Sequence, residues 1–378
     1  MMCTVYLDQV AKPVPMADGA EAAGKQAVSM DKENLQAMIQ HTKEQLNSLF
    51  HGPGADYVVF TEGVGAAFDK TLRSILKKGD HVLVSPMESD AVMNILKDME
   101  GDVAYSLLPC NEKGQLVLFD EEKGEKGFEA VERLMRPNTK AIIINHASEV
   151  CGTVLQVKEM AEFARRKNLL MIANTAQTAA FVPIFMNIWG IDILTFSGGY
   201  GLLASEKIGG FIASEKACEF LGGKDGLKTF EMNPLDVERI GQLNRAFEFI
   251  KETRLFNLCS TAQKRAEQFI RKVQHVNGVH IIGPGYKDRI PVVSIQTDFM
   301  DEKELEEALK KQYGIVISSG LHGAEQAHKT LGTWPRGTAR FSFTYFNTES
   351  DIDKITQALW QLTVHSDKVP DVKRMPKE

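Results

Sequence analysis

Polar and aromatic residues follow several apolar runs of this chain, at the places where binding and catalysis are usually found. Asn174 and Gln177 close one such run, and Ser197 and Tyr200 close another. The carboxyl ends of parallel strands meet at one edge of a sheet, where ligands bind. Arg340 lies in a later run, and its planar guanidinium could take a carboxylate. An amide, a hydroxyl and a phenol can hydrogen-bond a ligand, but none of them is an amine that could form an imine.

A parallel sheet must position these residues, because short apolar runs alternate with helical patterns along the chain. The runs are nearly continuous, which is typical of strands covered on both faces. They fall at 57–61, 81–86, 103–109, 141–147, 169–174, 193–197 and 208–213, with helical patterns at about 31–50, 64–78, 89–99, 126–136 and 157–167. The predicted fold class is α/β, with a large, doubly wound and mostly parallel sheet.

A smaller α/β domain is predicted toward the C-terminus. A long helical pattern at 235–275 leads into it, and strands at 291–296, 315–319 and 338–346 alternate with helices at 302–313 and 349–363. We place the large domain at 1–245, allowing that its first residues pack with the small domain, the small domain at 246–363 and a charged tail at 364–378.

Composition excludes several classes of protein. The net charge of −6 argues against a nucleic-acid surface, and no apolar run has the length of a membrane-spanning helix. The first residues have neither a basic start nor a long apolar core, so no signal peptide is expected and a cytoplasmic protein is predicted. The five cysteines include no Cys-x-x-Cys pair, which predicts reduced thiols rather than disulfides, and no metal site.

Four stretches of the chain resemble the class V aminotransferase family of fold-type I pyridoxal phosphate enzymes, and within it the cysteine desulfurase and selenocysteine lyase branch. They are residues 58–63 with 79–84, residues 145–153, residues 176–179 with 193–210, and residues 337–348. The stretches keep the family's order over nearly the whole chain. The resemblance implies the fold-type I architecture, a homodimer, and a pyridoxal phosphate site at the strand ends. That cofactor needs an amine for its imine, an anion beside its pyridine nitrogen and donors for its phosphate.

The residues around the expected imine depart from the family pattern. The pattern Ser/Thr-Gly-His-Lys-Gly-Leu-Leu aligns without a gap on residues 197–203, which puts Tyr200 at the lysine and Gly199 at the histidine. Asn174 stands at the aspartate that supports the pyridine nitrogen, and Ser89 stands at the histidine that stacks on the ring. A phenol cannot form an imine, and a neutral amide cannot stabilise a pyridinium as a carboxylate does.

The charges and the nucleophile depart from the pattern as well, although Gln177 and Ser197 keep the family's residue types. Glu149 falls at the asparagine that faces the cofactor's phenolate oxygen, and Glu62 puts a carboxylate at the phosphate turn, where it would repel an anion. The loop that presents the sulfur-accepting cysteine in the desulfurases has Gly323 instead. We therefore predict a degenerate pocket that has lost catalysis and binds no cofactor, with pyridoxal phosphate implied by the resemblance only.

Three functions stay open. The favoured one is a pseudoenzyme that acts as a non-catalytic binding or regulatory subunit with a protein partner. Arg340 matches the arginine that receives the substrate carboxylate, so the chain could instead bind a small carboxylate, unless Arg340 forms a structural ion pair with Glu149, Glu62 or another acid. The third is a pyridoxal phosphate-dependent aminotransferase or desulfurase in which a displaced lysine such as Lys207 forms the imine.

Several residues near the pocket have structural interpretations. Tyr200 is predicted to fill the space left by a cofactor with its hydroxyl hydrogen-bonded, and His146 and His322 are predicted to be packed and hydrogen-bonded. In the family a threonine-rich segment of the second subunit contacts the phosphate. The nearest match, at 222–225, lacks the threonine, so we do not expect the partner to complete this pocket.

Overall fold

The computed structural model describes residues 4–119 and 121–364. Cys3 lies outside these residues, and so does the predicted tail at 364–378 except for Val364. Within them the strands are β1 (Val5–Tyr6), β2 (Val58–Thr61), β3 (His81–Val84), β4 (Ala104–Leu107), β5 (Thr139–Asn145), β6 (Leu170–Asn174), β7 (Ile193–Ser197), β8 (Gly209–Ala213), β9 (Val279–Ile282), β10 (Val292–Thr297), β11 (Ile315–Val316), β12 (Ser318–Gly320) and β13 (Thr338–Ser342). The α-helices are α1 (Ala20–Val28), α2 (Lys32–Phe50), α3 (Val64–Ile75), α4 (Asp90–Asp98), α5 (Glu129–Glu132), α6 (Val157–Arg166), α7 (Met186–Trp189), α8 (Glu215–Phe220), α9 (Gly223–Phe230), α10 (Val237–Thr253), α11 (Leu255–Val273), α12 (Glu302–Ala308), α13 (Glu325–Thr330) and α14 (Glu349–Val364).

The apolar runs form the predicted central sheet, in the order β2-β8-β7-β6-β5-β3-β4. Strands β3 to β7 pair in parallel, whereas β8 is antiparallel to both β7 and β2. Successive side chains of a strand point to opposite faces, so Ile142 and Ile144 pack in one core while Ala141 and Ile143 pack in the other. The prediction of a doubly wound, mostly parallel α/β sheet is confirmed.

The second sheet is antiparallel, in the order β12-β13-β10-β9, and α11, α12 and α14 pack against it. We call β9 to β13 with α11 to α14 the small domain. The first strand joins it, because β1 pairs in parallel with β11 and Asp8 bridges to Ser342. The predicted boundary at 245/246 falls within α10, and the helical run breaks eight residues later, at Arg254.

Some helical predictions were wrong in extent. The pattern at 235–275 forms two helices, because Arg254 adopts φ 69° and ψ 121°, which is incompatible with a continuous helix. The pattern at 126–136 forms only the single turn α5, because Gly127 has a positive φ before it and Pro137 follows it. The pattern at 302–313 is α-helical only through Ala308 and ends in a π-helical turn. Among the described residues, no helix has both the length and the apolar composition needed to cross a membrane.

Candidate functional site

Three side chains meet at the carboxyl edge of β3, β5 and β6. Asn145 and Asn174 end neighbouring strands and are paired in register. The Asn174 amide donates to Glu88 Oε2 at 3.0 Å, and the Asn145 amide donates to the carbonyl oxygens of Met87 at 2.6 Å and Ala147 at 3.1 Å. The structure therefore puts the predicted Asn174 at the strand edge and adds Glu88 and Asn145 to it.

Two carboxyl groups are buried at this edge. Burial raises the pKa of Glu88 to about 8, against the effect of the hydrogen bond from Asn174. Burial likewise raises the pKa of Glu149 to about 7, although the Arg340 guanidinium acts in the opposite direction and Asp90 adds to the rise. Both carboxyl groups therefore titrate close to neutral pH, which is the range in which such a group can change its charge on binding.

Tyr200, at the position where the resemblance expects a lysine, is only 2% exposed. Its hydroxyl lies 3.0 Å from the carbonyl oxygen of Pro291 and 3.1 Å from that of Phe343, and both acceptors belong to the small-domain side of the molecule. Its ring packs 4.7 Å from the ring of Phe181. Burial raises the pKa of this phenol well above its ordinary value, so the hydroxyl stays protonated and donates to the carbonyls.

Arg340 is buried, and its guanidinium contacts groups of the chain itself. Nη1 donates to the carbonyl oxygen of Glu149 at 3.1 Å, while Nη2 lies 3.5 Å from both Asp8 Oδ1 and Ser318 Oγ. The acid in ion-pair range is thus Asp8, since the Glu149 side chain acts only through its charge. Glu62, the other acid considered for this role, lies 3.6 Å from Lys70.

The loop that carries Gly323 is fastened to the start of α4. The Asp90 amide donates to the Gly323 carbonyl at 2.6 Å, and the Glu325 amide donates to Asp90 Oδ1 at 3.1 Å. Inside the loop, His322 contacts Ser318 Oγ through Nδ1 at 3.2 Å. The His322 Nε2 lies 3.1 Å from the Thr338 carbonyl oxygen and 3.1 Å from the Thr338 hydroxyl oxygen. Burial lowers the pKa of His322 well below its ordinary value.

The remaining predicted pocket residues lie around this edge without recorded contacts to a common centre. Ser89 is half-buried and is the N-cap of α4, with no side-chain cap bond. Ser197 Oγ accepts the Gly199 amide at 3.2 Å, and a Cβ at Gly199 would lie 3.1 Å from the Glu206 Cβ. Gln177 is half-buried, and its Oε1 has no hydrogen-bond partner among the described residues.

Lys207 and the phosphate turn lie close together. The Lys207 side chain is exposed, and a Cβ at Gly63 would lie 3.6 Å from the carbonyl oxygen of the preceding residue, Glu206. The α3 N-terminus follows Gly63 and has no side-chain cap, and the Thr61 hydroxyl donates to the Gly63 carbonyl at 2.8 Å. The turn therefore offers backbone amides, but the exposed Glu62 carboxylate stands beside them.

His146 and the cysteines have ordinary packing contacts. His146 Nδ1 lies 3.0 Å from Thr178 Oγ1, its ring meets Trp189 edge-on, and burial lowers its pKa to about 4. Burial raises the pKa of the Cys259 thiol to about 11, which keeps it protonated. No group of three or more His, Cys, Asp or Glu side chains within residues 4–119 and 121–364 is arranged to hold a metal ion.

A large cavity lies away from the strand edge. Its volume is about 1050 Å³, and its lining is mainly apolar, including Phe50, Phe181, Ile184 and Phe256. None of the residues that meet at the ends of β3, β5 and β6 lines it. Volume alone does not identify a functional site, so the polar strand edge remains the candidate site.

Sequence reasoning missed Asp8, Glu88 and Asn145. Glu88 directly precedes Ser89, and a carboxylate after a buried strand is a signal that could have marked it. Asn145 had the same signal, because it ends β5. Asp8 had none, since 332 residues separate it from Arg340.

Comparisons with known proteins agree with this architecture. The family model Aminotransferase class-V matches residues 16–355. A probable cysteine desulfurase of Halalkalibacterium halodurans is 24% identical over 94% of this chain and 92% of its own length. A cysteine desulfurase of Yersinia pseudotuberculosis is 21% identical over 95% of this chain and 93% of its own length.

Solved structures are similar over the same extent. The apo cysteine desulfurase of Thermococcus onnurineus has a TM-score of 0.83 at 17% identity, and the match covers 96% of this chain and 95% of that one. The cysteine desulfurase CsdA of Escherichia coli has a TM-score of 0.81 at 20% identity, with the same coverage of the two chains. At these identities the likeness establishes the fold alone, and the fold-type I prediction is confirmed.

Proposed function

The chain belongs to the class V aminotransferase family, and from that premise we propose that it is a non-catalytic member, a binding or regulatory subunit that no longer uses pyridoxal phosphate. The observation that carries the proposal is the placement of Tyr200. Its hydroxyl is held between two backbone carbonyls, it is buried, and it has no nitrogen with which to form an imine. The position that should bind the cofactor covalently is used instead for packing.

The other pocket residues support the same proposal. A bound pyridoxal ring accepts electrons when an anion stabilises its protonated nitrogen. Asn174 cannot do this, because it is neutral and its amide already donates to Glu88. The exposed Glu62 carboxylate opposes a phosphate at the α3 turn, and Gly323 provides no thiol for accepting sulfur. The residues present therefore do not fit an imine-bound pyridoxal phosphate, and we derive no reaction through it.

The two alternatives have less support. Lys207 is exposed on a turn, and an enzyme that used it would still lack the anion at the pyridine nitrogen. A carboxylate ligand at Arg340 would have to displace Asp8 from a guanidinium that is 3% exposed. We retain the homodimer, the protein partner and the cytoplasmic location as parts of the proposal. Light scattering tests the first of these, because a homodimer has twice the 42.0 kDa mass of one chain.

The decisive experiment is the near-ultraviolet and visible absorbance spectrum of the purified chain, before and after incubation with pyridoxal phosphate and removal of the free cofactor. We expect no retained band, no mass increase after borohydride reduction, and no release of alanine from cysteine. A Lys207→Arg variant is the matched control. A covalent adduct in the wild-type chain would overturn the proposal, and its loss in Lys207→Arg would identify the displaced lysine.

A further inference from the structure

The large cavity away from the strand edge is lined by segments of both parts of the molecule. The end of α2 and residues 180–184 contribute from the large domain, and the first turns of α11 and residues 286–290 contribute from the small-domain side. Its volume of about 1050 Å³ lies at the upper end of the range found for small-molecule sites. Such sites are mostly apolar and hold a few polar groups that fix the ligand. The polar groups of the lining therefore decide which ligand this cavity can take.

Two apolar side chains of the lining are exposed at the start of α11. Leu255 is 36% exposed and Phe256 is 78% exposed, which is the largest exposed fraction among the large apolar side chains that the structure describes. Covering apolar surface is favourable roughly in proportion to the area removed from water. An apolar ligand in the cavity would therefore cover surface that the chain by itself leaves in contact with water.

Arg289 brings a buried positive charge to the same lining. Its side chain is 3% exposed. Nη1 donates to the carbonyl oxygen of Val292 at 3.4 Å, and Nη2 donates to that of Ile282 at 3.2 Å and to that of Pro284. All three acceptors are neutral backbone groups, and Nε has no hydrogen-bond partner among the described residues. The guanidinium therefore keeps both an unused donor and an unbalanced charge.

No carboxylate of the described residues forms an ion pair with this guanidinium. Burial lowers the pKa of Arg289 to about 10, and the opposing effect comes from Cys151 rather than from an acid. The side chain is therefore charged at neutral pH. Of the two acids in the lining, Glu267 lies 2.7 Å from Arg271, and Asp288 is exposed. A buried charge without an opposite charge is costly, so an anionic group bound at Arg289 would be stabilising.

We infer that this cavity binds a hydrophobic organic acid, with its apolar body against the phenylalanine and leucine side chains of the lining and its carboxylate at Arg289. An ionised carboxylate has only acceptors, which suits the unpaired Nε donor, and its hydrogen bonds to a guanidinium are among the strong ones. The exposed Lys287 adds a second cation to the lining. None of the residues that meet at the ends of β3, β5 and β6 lines the cavity, so this site is separate from the candidate site and does not depend on the loss of the cofactor.

The test is calorimetric titration of the full chain with decanoate, decanol, decyltrimethylammonium and acetate, each below the concentration at which it forms micelles. We expect one saturable site for decanoate. Decanol and the decyl cation should bind about tenfold more weakly or less, because they lack the charged acceptor for Arg289. Acetate should not bind, since it lacks the apolar body, whereas a site that recognises a carboxylate alone, such as the one considered at Arg340, would take it.

Three variants locate the binding. Arg289→Gln should weaken decanoate binding by about tenfold or more and leave decanol binding unchanged. Because Arg289 also holds backbone carbonyls, Phe256→Glu provides a second measure if Arg289→Gln folds poorly. This variant places a carboxylate at an exposed position of the lining, so it should weaken the binding of decanoate more than that of decanol. Val28→Glu is the matched control, because Val28 is 61% exposed on α1 and does not line the cavity, and it should keep the wild-type affinity.

Three results would overturn the inference. They are the absence of saturable decanoate binding, equal affinities for decanoate and decanol in the wild-type chain, and a decanoate affinity that neither Arg289→Gln nor Phe256→Glu lowers. The absorbance test of the proposed function is unaffected by any of them, because it reports on pyridoxal phosphate alone.

Discussion

The Tyr200 hydroxyl connects two segments of the small domain to the turn after β7. One acceptor, the Pro291 carbonyl, precedes β10, and the other, the Phe343 carbonyl, follows β13. Tyr200→Phe should lower the free energy of unfolding by about 1–2 kcal/mol, because it removes the hydroxyl donor that both carbonyls share, and only the Pro291 carbonyl still accepts another hydrogen bond, from the Phe343 amide at 2.9 Å. Chemical denaturation checks the change.

Tyr345→Phe is the matched control for that variant. The Tyr345 side chain is 36% exposed, and no hydrogen bond of its hydroxyl is recorded among the described residues. Removing the Tyr345 hydroxyl should change the free energy of unfolding by less than about 0.5 kcal/mol. Equal effects of the two substitutions would contradict a structural role for the Tyr200 hydroxyl.

Glu88 should make stability depend on pH. Its folded pKa is about 8, above the ordinary 4.5, so the folded state holds the proton more tightly. The stabilisation is complete below pH 4.5 and is lost as the pH rises through 8. Glu88→Gln, which resembles the protonated acid, should match the wild type at low pH and exceed its unfolding free energy by about 1–3 kcal/mol above pH 8.

Denaturant titrations over this pH range measure the difference. The groups that face Glu88 are Asn174, the Ser89 amide and the Glu149 charge, and Glu149 is unchanged in both proteins. A Glu88→Gln variant with the wild-type pH dependence would show that Glu88 is ionised in the folded state.

The candidate site could be predicted from the sequence in part. Asn174 and Tyr200 could be placed, because residues after parallel strands gather at one edge. The engagement of Arg340 could not be predicted in full, since its ion-pair partner Asp8 is close only after the chain has folded. The burial of Glu88 could not be predicted from the sequence either, because an acidic side chain that follows a strand is more often exposed to solvent.

At the scale of elements, Arg254 separates α10 from α11 with an unfavourable backbone conformation. Its φ of 69° and ψ of 121° are sparsely populated by residues with a Cβ, and its side chain is exposed. Arg254→Gly should therefore raise the free energy of unfolding by about 1 kcal/mol. Lys251→Gly, an exposed position inside α10, should lower it by about 0.7–1 kcal/mol.

Thermal and urea unfolding measure both substitutions. A higher free energy of unfolding for Arg254→Gly and a lower one for Lys251→Gly would confirm the helix break. A loss of stability in both would mean that 237–273 is one helix. The sequence predicts one helix there because arginine is a good helix former and no glycine or proline lies between Gly241 and Gly278. The strands were predicted more accurately, since continuous apolar runs of this length suit buried parallel strands and little else.

At the scale of the whole molecule, Gly152 lies where the loop after β5 meets the small domain. A Cβ at this position would lie 2.6 Å from the Val292 carbonyl oxygen and 3.0 Å from that of Ile290, and its φ is +76°. Gly152→Ala should lower the free energy of unfolding by about 2–5 kcal/mol, through backbone strain and the collision together.

Gly101→Ala separates the two effects. Gly101 also has a positive φ, +96°, but nothing lies within 4 Å of its added Cβ. Gly101→Ala should lower the free energy of unfolding by about 1 kcal/mol, through backbone strain alone. Denaturant unfolding of both variants measures the difference, and equal losses would mean that the loop and the small domain are not in close contact at Gly152.

The pairing of the first strand with β11 and of Asp8 with Arg340 has a consequence for synthesis. Asp8 leaves the ribosome 332 residues before Arg340, a delay of roughly 20 to 60 seconds at cellular rates of translation. For most of that time β1 lacks its partner β11, and the Asp8 carboxylate lacks its guanidinium throughout. The strands of the central sheet, which end at Ala213, can assemble in the meantime. The contacts of the first strand with the small domain therefore form only after residues 315–342 have been synthesised.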